Sequence, residues 1–180
     1  MKNKHIEKLS PQMREKAIKF VEKCSERGVT VLIYCTTRSL ERQARLFRQG
    51  RTHLQIKDRM YKLRKRGFGF LAEIIDKVGP QRGSKIVTGA GPGESFHNYA
   101  EAFDAVPLNS SGKCIWDHKA NPEPWETMWE VGEELGLNVG GRWKWFDGPH
   151  FQLRKGSNPT RIYTPEKLRE ILIKNKLLKE

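Results

Sequence analysis

Apolar residues recur at three- and four-residue spacing from Met13 through Ala17, Phe20, Val21 and Cys24, a period that lays one stripe along a helix. Ser10-Pro11 supplies a capping hydroxyl and a proline at the first helical position, and Gly28 supplies the stop. The pattern then changes: Val29 to Cys35 is a run of apolar and β-branched residues, too short for a helix, and it reads as a buried strand. Ser39 caps a second predicted helix with Leu40, Ala44 and Phe47 inward and Gly50 at its end. Thr52 to Val78 predicts further helix, interrupted at Gly67-Phe68-Gly69. Lys85 to Thr88 predicts a short strand, followed by the loop Gly89-Ala90-Gly91-Pro92-Gly93. Ala100, Ala102, Asp104 and Val106 alternate with Glu101, Phe103 and Ala105, the period of a strand, which ends at Pro107.

Pro124 opens another helix carrying Trp125, Met128, Trp129 and Leu135 up to Gly136, and Leu137 to Val139 and Phe151 to Leu153 are short strand candidates. Thr164-Pro165 begins a final amphipathic helix through Leu168, Ile171, Leu172 and Leu178. Short strands among irregular loops, with helices mainly at the two ends, predict an α+β fold in which a small antiparallel sheet is flanked by helices. A single domain over 1–180 is expected, with 52–84 as a basic helical insertion and 155–180 as a basic C-terminal helix.

Composition narrows the classes. The chain has 180 residues and a net charge of +13, yet 37% of it is hydrophobic, which excludes a disordered polycation. No window approaches the ~18 uninterrupted apolar residues of a membrane span. The N-terminal MKNKHIEKLSPQ has no apolar stretch behind its charges, so no signal peptide is expected. Cys24, Cys35 and Cys114 are odd in number and widely spaced, and read as buried thiols in a reducing compartment. The charge is uneven: residues 38–66 hold 11 Lys/Arg against 2 Asp/Glu, residues 154–180 hold 8 against 3, and residues 91–150 hold 4 against 10. Basic flanks around an acidic middle fit cationic surfaces that meet a polyanion and a middle that does separate chemistry. Solvated helix faces give the same counts.

Three side chains of metal-ligand type stand in informative contexts: His97 in Ser95-Phe96-His97, Asp104 seven residues later, and His150 in Asp147-Gly148-Pro149-His150-Phe151. Hydrolytic zinc takes three protein ligands and keeps one open position, and two imidazoles with one carboxylate are a suitable set. A carboxylate on the strand face of Ala102 and Val106 would be costly to bury unpaired, and a metal removes that cost. Asp147, three residues before a ligand, fits a base for the attacking water, although a turn residue before Gly148-Pro149 reads the same way. His5, His53 and His118 read as surface or satisfied histidines. Trp143, Trp145 and Phe146 are candidates to wall a cleft, with core packing favoured for at least one.

Ser95-x-His97-x-x-Ala100-x-Ala102-x-Asp104, followed by Asp147-x-Pro149-His150-Phe151-Gln152, resembles the paired signature of the LAS zinc peptidases, which include D-alanyl-D-alanine carboxypeptidases and phage L-alanyl-D-glutamate endolysins. The segment from Thr37 through Arg38, Ser39, Gln43 and Gly50 to Arg51 resembles the endolysin branch. Both matches, in order, form a specific signal. The resemblance implies one zinc per chain held by His97, Asp104 and His150, Asp147 as catalytic base, and Arg38 stabilising the oxyanion; Ser95, Gln43 and Trp145 are substrate-contact candidates. The family usually carries Gly where this chain has Ala100, a change that a strand position absorbs and a positive-φ position does not without strain.

The implied activity is a peptidoglycan endopeptidase, expected to be a phage lysin that stays in the host cytoplasm until lysis and then acts on the wall as a monomer, with an anionic envelope as a possible further contact. A D-alanyl-D-alanine carboxypeptidase is the alternative within the same chemistry. A basic nucleic-acid-binding module is the alternative from another class, ranked lower because none of the common nucleic-acid signatures is present.

Overall fold

A computed structural model of the protein describes residues 3, 5–80, 83–156 and 158–179. They gather into two compact bodies, one from Met1–Thr37 with Ala100–Lys155 and the other from Arg38–Tyr99 with Gly156–Glu180.

The first body is built on a four-stranded antiparallel sheet in the order β1 (Val31–Cys35), β2 (Ala102–Pro107), β4 (His150–Gln152), β3 (Asn138–Val139). Helix α1 (Pro11–Glu26) begins where the Ser10 hydroxyl accepts the Met13 N–H, as the sequence predicts. Its apolar stripe and that of α5 (Pro122–Glu134) share one core with the sheet. At the centre Phe103 stacks on its cross-strand partner Phe151 at 5.2 Å, and Phe20 of α1 lies 4.7 Å from Phe151. Helix α5 comes close because Gly132 has no side chain: a Cβ there would stand 2.7 Å from the Phe151 ring. Of the three thiols, Cys24 is fully buried in this core and burial pushes its pKa up to about 12. Cys35 and Cys114 are only half-buried, so the expectation of buried thiols holds for Cys24 alone.

The predicted strand from Ala100 starts two residues late, at Ala102, because Ala100 turns with φ 58°. A Cβ in left-handed backbone is strained by about 1–2 kcal/mol, whereas glycine adopts it freely. Ala100→Gly is therefore expected to stabilise the protein by about 1 kcal/mol after glycine's greater chain entropy is discounted, read as a higher urea midpoint with an unchanged slope.

The second body is helical. Ser39 caps α2 (Leu40–Arg48) and Thr52 with Gln55 forms a capping box on α3 (His53–Lys65). Helix α4 (Gly69–Lys77) follows the predicted Gly67-Phe68-Gly69 break, and Thr164 caps α6 (Pro165–Lys174). Leu40, Phe47, Ile56, Leu63, Leu71, Ile75, Leu168 and Leu172 form one core from all four helices, so the stretch predicted as an insertion builds this body rather than decorating it. Residues 81 and 82 of that stretch lie outside the described residues.

Two predicted elements need correction. Lys85 to Thr88 is not a strand: Ile86 and Val87 are each 53% exposed, and the carbonyls of Lys85 and Thr88 accept from the side chains of Gln49 and Arg51. The last helix stops at Lys174, well short of Leu178, where the chain passes through Lys176 at φ 57° and the Leu177 and Leu178 N–H groups fold back onto the Leu172 carbonyl.

Candidate active site

Asp104 and His150 meet in the first body because β2 and β4 pair antiparallel with these two residues directly opposite. Both are buried, and His150 Nδ1 lies 3.1 Å from Asp104 Oδ1. The tautomer of the imidazole follows from its other side. Gln152 donates its amide N–H to the Arg154 carbonyl at 2.6 Å, which orients the amide and turns Oε1 towards His150 Nε2 at 3.0 Å. An amide oxygen only accepts, so Nε2 carries the hydrogen. Nδ1 then faces the carboxylate as a donor in the imidazolium and as a lone pair in the neutral ring that ligates metals. A proton or a metal ion can bridge the two atoms at that distance, and an imidazole with a carboxylate is two thirds of a hydrolytic zinc set. The donors fit a metal, with Gln152 as the outer partner that fixes the ligand's orientation.

Asp147 lies in the exposed turn that leads into β4. Its N–H donates to the Gly140 carbonyl and its own carbonyl accepts from the His150 N–H, both at 3.0 Å. The Asp147 carbonyl also runs through the space that a side chain at Gly140 would occupy. The Trp129 indole donates to the Gly148 carbonyl at 2.9 Å, and Arg142 pairs with Glu126 and with Glu133 at 3.2 Å, so α5 holds the turn at both ends. Trp145 is 85% exposed and Phe146 stacks on His118 at 4.4 Å. Trp143 is half-buried, with its indole donating to Asn138 and its ring 5.3 Å from that of His150.

Four further candidates, Arg38, Gln43, Ser95 and His97, belong to the second body. His97 is 2% exposed within the short 3₁₀ turn Phe96–Tyr99, so the motif that reads as an open loop has a helical turn inside it. The His97 carbonyl accepts from the Arg38 N–H at 3.0 Å, and the Asn98 amide donates to the Arg38 carbonyl at 2.7 Å, lacing that turn to the start of α2. Gln43 is fully buried; its oxygen accepts from the Arg38 guanidinium at 2.9 Å and its N–H donates to the Ala90 carbonyl at 2.8 Å. It positions Arg38. Ser95 is half-buried, with its carbonyl accepting from the Asn98 N–H.

Several supporting residues carry no sequence signal of their own. Glu94 is buried beside the motif, where it accepts from the Gly91 N–H at 2.7 Å and pairs with Arg59 of α3. Helix α3 thus supplies the cation that neutralises a buried carboxylate next to Ser95 and His97. Asn98 lies beside His97 and only its distant partner Arg38 reveals what it does, while Gln152, a motif residue, owes its orientation to the Arg154 carbonyl two residues on.

Residues 88–153 match a protein family described as D-alanyl-D-alanine carboxypeptidase. The chain is 29% identical over 151 residues to the peptidoglycan L-alanyl-D-glutamate endopeptidase CwlK of Bacillus subtilis (strain 168), covering 81% of this chain and 73% of the relative. Among solved structures it is similar to the L-Ala D-Glu endopeptidase ChiX of Serratia marcescens, with a TM-score of 0.44, 18% identity and 83% of each chain covered.

Proposed function

We propose that the chain is a zinc-dependent peptidoglycan endopeptidase of the LAS type that hydrolyses the L-alanyl-D-glutamate amide of stem peptides, a reading supported by the family match over residues 88–153 and the likeness to CwlK. The observation that carries the reading is the buried Asp104–His150 pair, with the ring oriented by Gln152 so that Nδ1 faces the carboxylate. Roles follow the motif: His97, Asp104 and His150 hold the metal, which when bound supplies Lewis acidity and acidifies water at its open position. Asp147 takes the proton of the attacking water and gives it to the leaving amine as the C–N bond breaks. Its exposed turn leads into β4, with main-chain bonds from Asp147 to Gly140 and His150 setting its place three residues before His150, where the ligand strand begins. Arg38, held by Gln43, stabilises negative charge developing on the carbonyl oxygen. Trp145, the most exposed aromatic of the turn, is assigned to substrate contact, as is Ser95.

The choice of bond rests on the likeness to CwlK and on the endolysin-like segment from Thr37 to Arg51. That segment also supports the finer reading of a phage-type lysin, and a stay in the host cytoplasm until lysis, followed by action on the wall as a monomer, belongs to the same proposal. End-group analysis of digested peptidoglycan tests the bond. New amino termini are expected on D-glutamate, with L-alanine left as the carboxyl terminus on muramic acid. Release of free D-alanine without new D-glutamate termini would instead assign the carboxypeptidase activity for which the matched family is named.

A further inference from the structure

Strand β1 does not pair with β2 in simple alternation. Val31, Leu32 and Ile33 oppose Pro107, Val106 and Ala105, but the next partner of Asp104 is Cys35, because the register slips by one residue at Tyr34. Without that bulge, strand parity would set Tyr34 opposite Asp104 and turn Cys35 to the face of Phe103. With it, Cys35, Asp104 and His150 form one row across three neighbouring strands. The Cys35 sulfur lies within 4.8 Å of an Asp104 carboxylate oxygen, while the same carboxylate lies 3.1 Å from His150 Nδ1. Bulges re-aim side chains next to active sites, and this one adds a thiol, a zinc ligand of high affinity, to a carboxylate and an imidazole already suited to a metal.

We propose that Cys35 is a further protein ligand of the metal in the resting enzyme, in addition to the set of the family motif. The inference rests on the metal-dependent reading above. Formation of the sulfur–metal bond releases the thiol proton to solvent, with no change in oxidation state. A fourth protein donor would occupy the position that the attacking water needs, so Cys35 restrains turnover and secures the metal until substrate binding breaks the sulfur–metal bond, the thiolate takes a proton back from solvent and water enters the vacated position. Cys24 and Cys114 serve as internal controls, since one is fully buried in the first core and the other pairs with Leu108 away from the row.

Cobalt(II) substitution of the full chain tests this directly, because a cobalt–thiolate bond gives a charge-transfer band in the near ultraviolet, separate from the visible d–d bands of any low-symmetry cobalt site. The native protein is expected to show both. Cys35→Ser and Cys35→Ala should keep the d–d bands and lose the charge-transfer band, whereas Cys24→Ser and Cys114→Ser should keep both. Native d–d bands without charge transfer, or a charge-transfer band that survives in both Cys35 variants, would overturn the ligation by Cys35 and leave the metal site standing. Absence of every cobalt band would overturn the metal-dependent reading itself.

Discussion

Asp147→Asn is expected to lower kcat by about 10²–10⁴-fold, the usual contribution of a positioned acid–base group, with metal content and thermal midpoint unchanged. The amide has nearly the shape of the carboxylate and cannot accept the proton of the attacking water. The turn that carries it has anchors in its main chain. Its bonds run through the main chain, from Asp147 N–H to the Gly140 carbonyl and from His150 N–H to the Asp147 carbonyl, and the Trp129 indole holds Gly148 independently. The loss should therefore fall on the chemical step, with KM for a soluble muropeptide little affected. Steady-state kinetics, metal analysis and a melting curve on the same preparation give the three readings. Turnover within a few-fold of native would remove Asp147 from proton transfer.

The parts of the fold that sequence made legible are those fixed by neighbours. Ser10, Ser39 and Thr164 each cap the helix that their positions predict, and the Gly67-Phe68-Gly69 break falls between α3 and α4. Ile86 and Val87 had the residue types of a strand, but a strand needs a partner, and side chains of Gln49 and Arg51 take the local carbonyls instead. In the same way, His97, Asp104, Asp147 and His150 were legible as chemical types, while the facing of Asp104 and His150 is a fact of β2–β4 register. The tautomer of His150 depends on Gln152 and, through it, on the Arg154 carbonyl. Cys35 shows the limit most sharply: alternation along β1 turns it away from Asp104, and only the bulge at Tyr34 reverses that. Ala100 was legible as a departure from the family's glycine; that it adopts positive φ was not.

Metal retention should separate the residues of the first body assigned as ligands from the one that orients a ligand. One zinc per native chain is expected, and Asp104→Ala and His150→Ala should each lose it together with activity. Removal of a residue that only orients a ligand costs about 10–100-fold in metal affinity, so removal of a ligand itself should exceed that range. Gln152→Leu supplies the intermediate case: it leaves both ligands present but deletes the acceptor that holds the His150 ring, and an affinity loss of about 10–100-fold is expected. The folds of all three variants should persist, because the core of this body is the stack of Phe20, Phe103 and Phe151 on the other side of the same strands. Competition with a chromogenic chelator gives the affinities, and circular dichroism checks the fold. Full zinc occupancy in both Asp104→Ala and His150→Ala would exclude the pair as ligands, and native affinity in Gln152→Leu would show that the orientation of the ring does not depend on its amide partner.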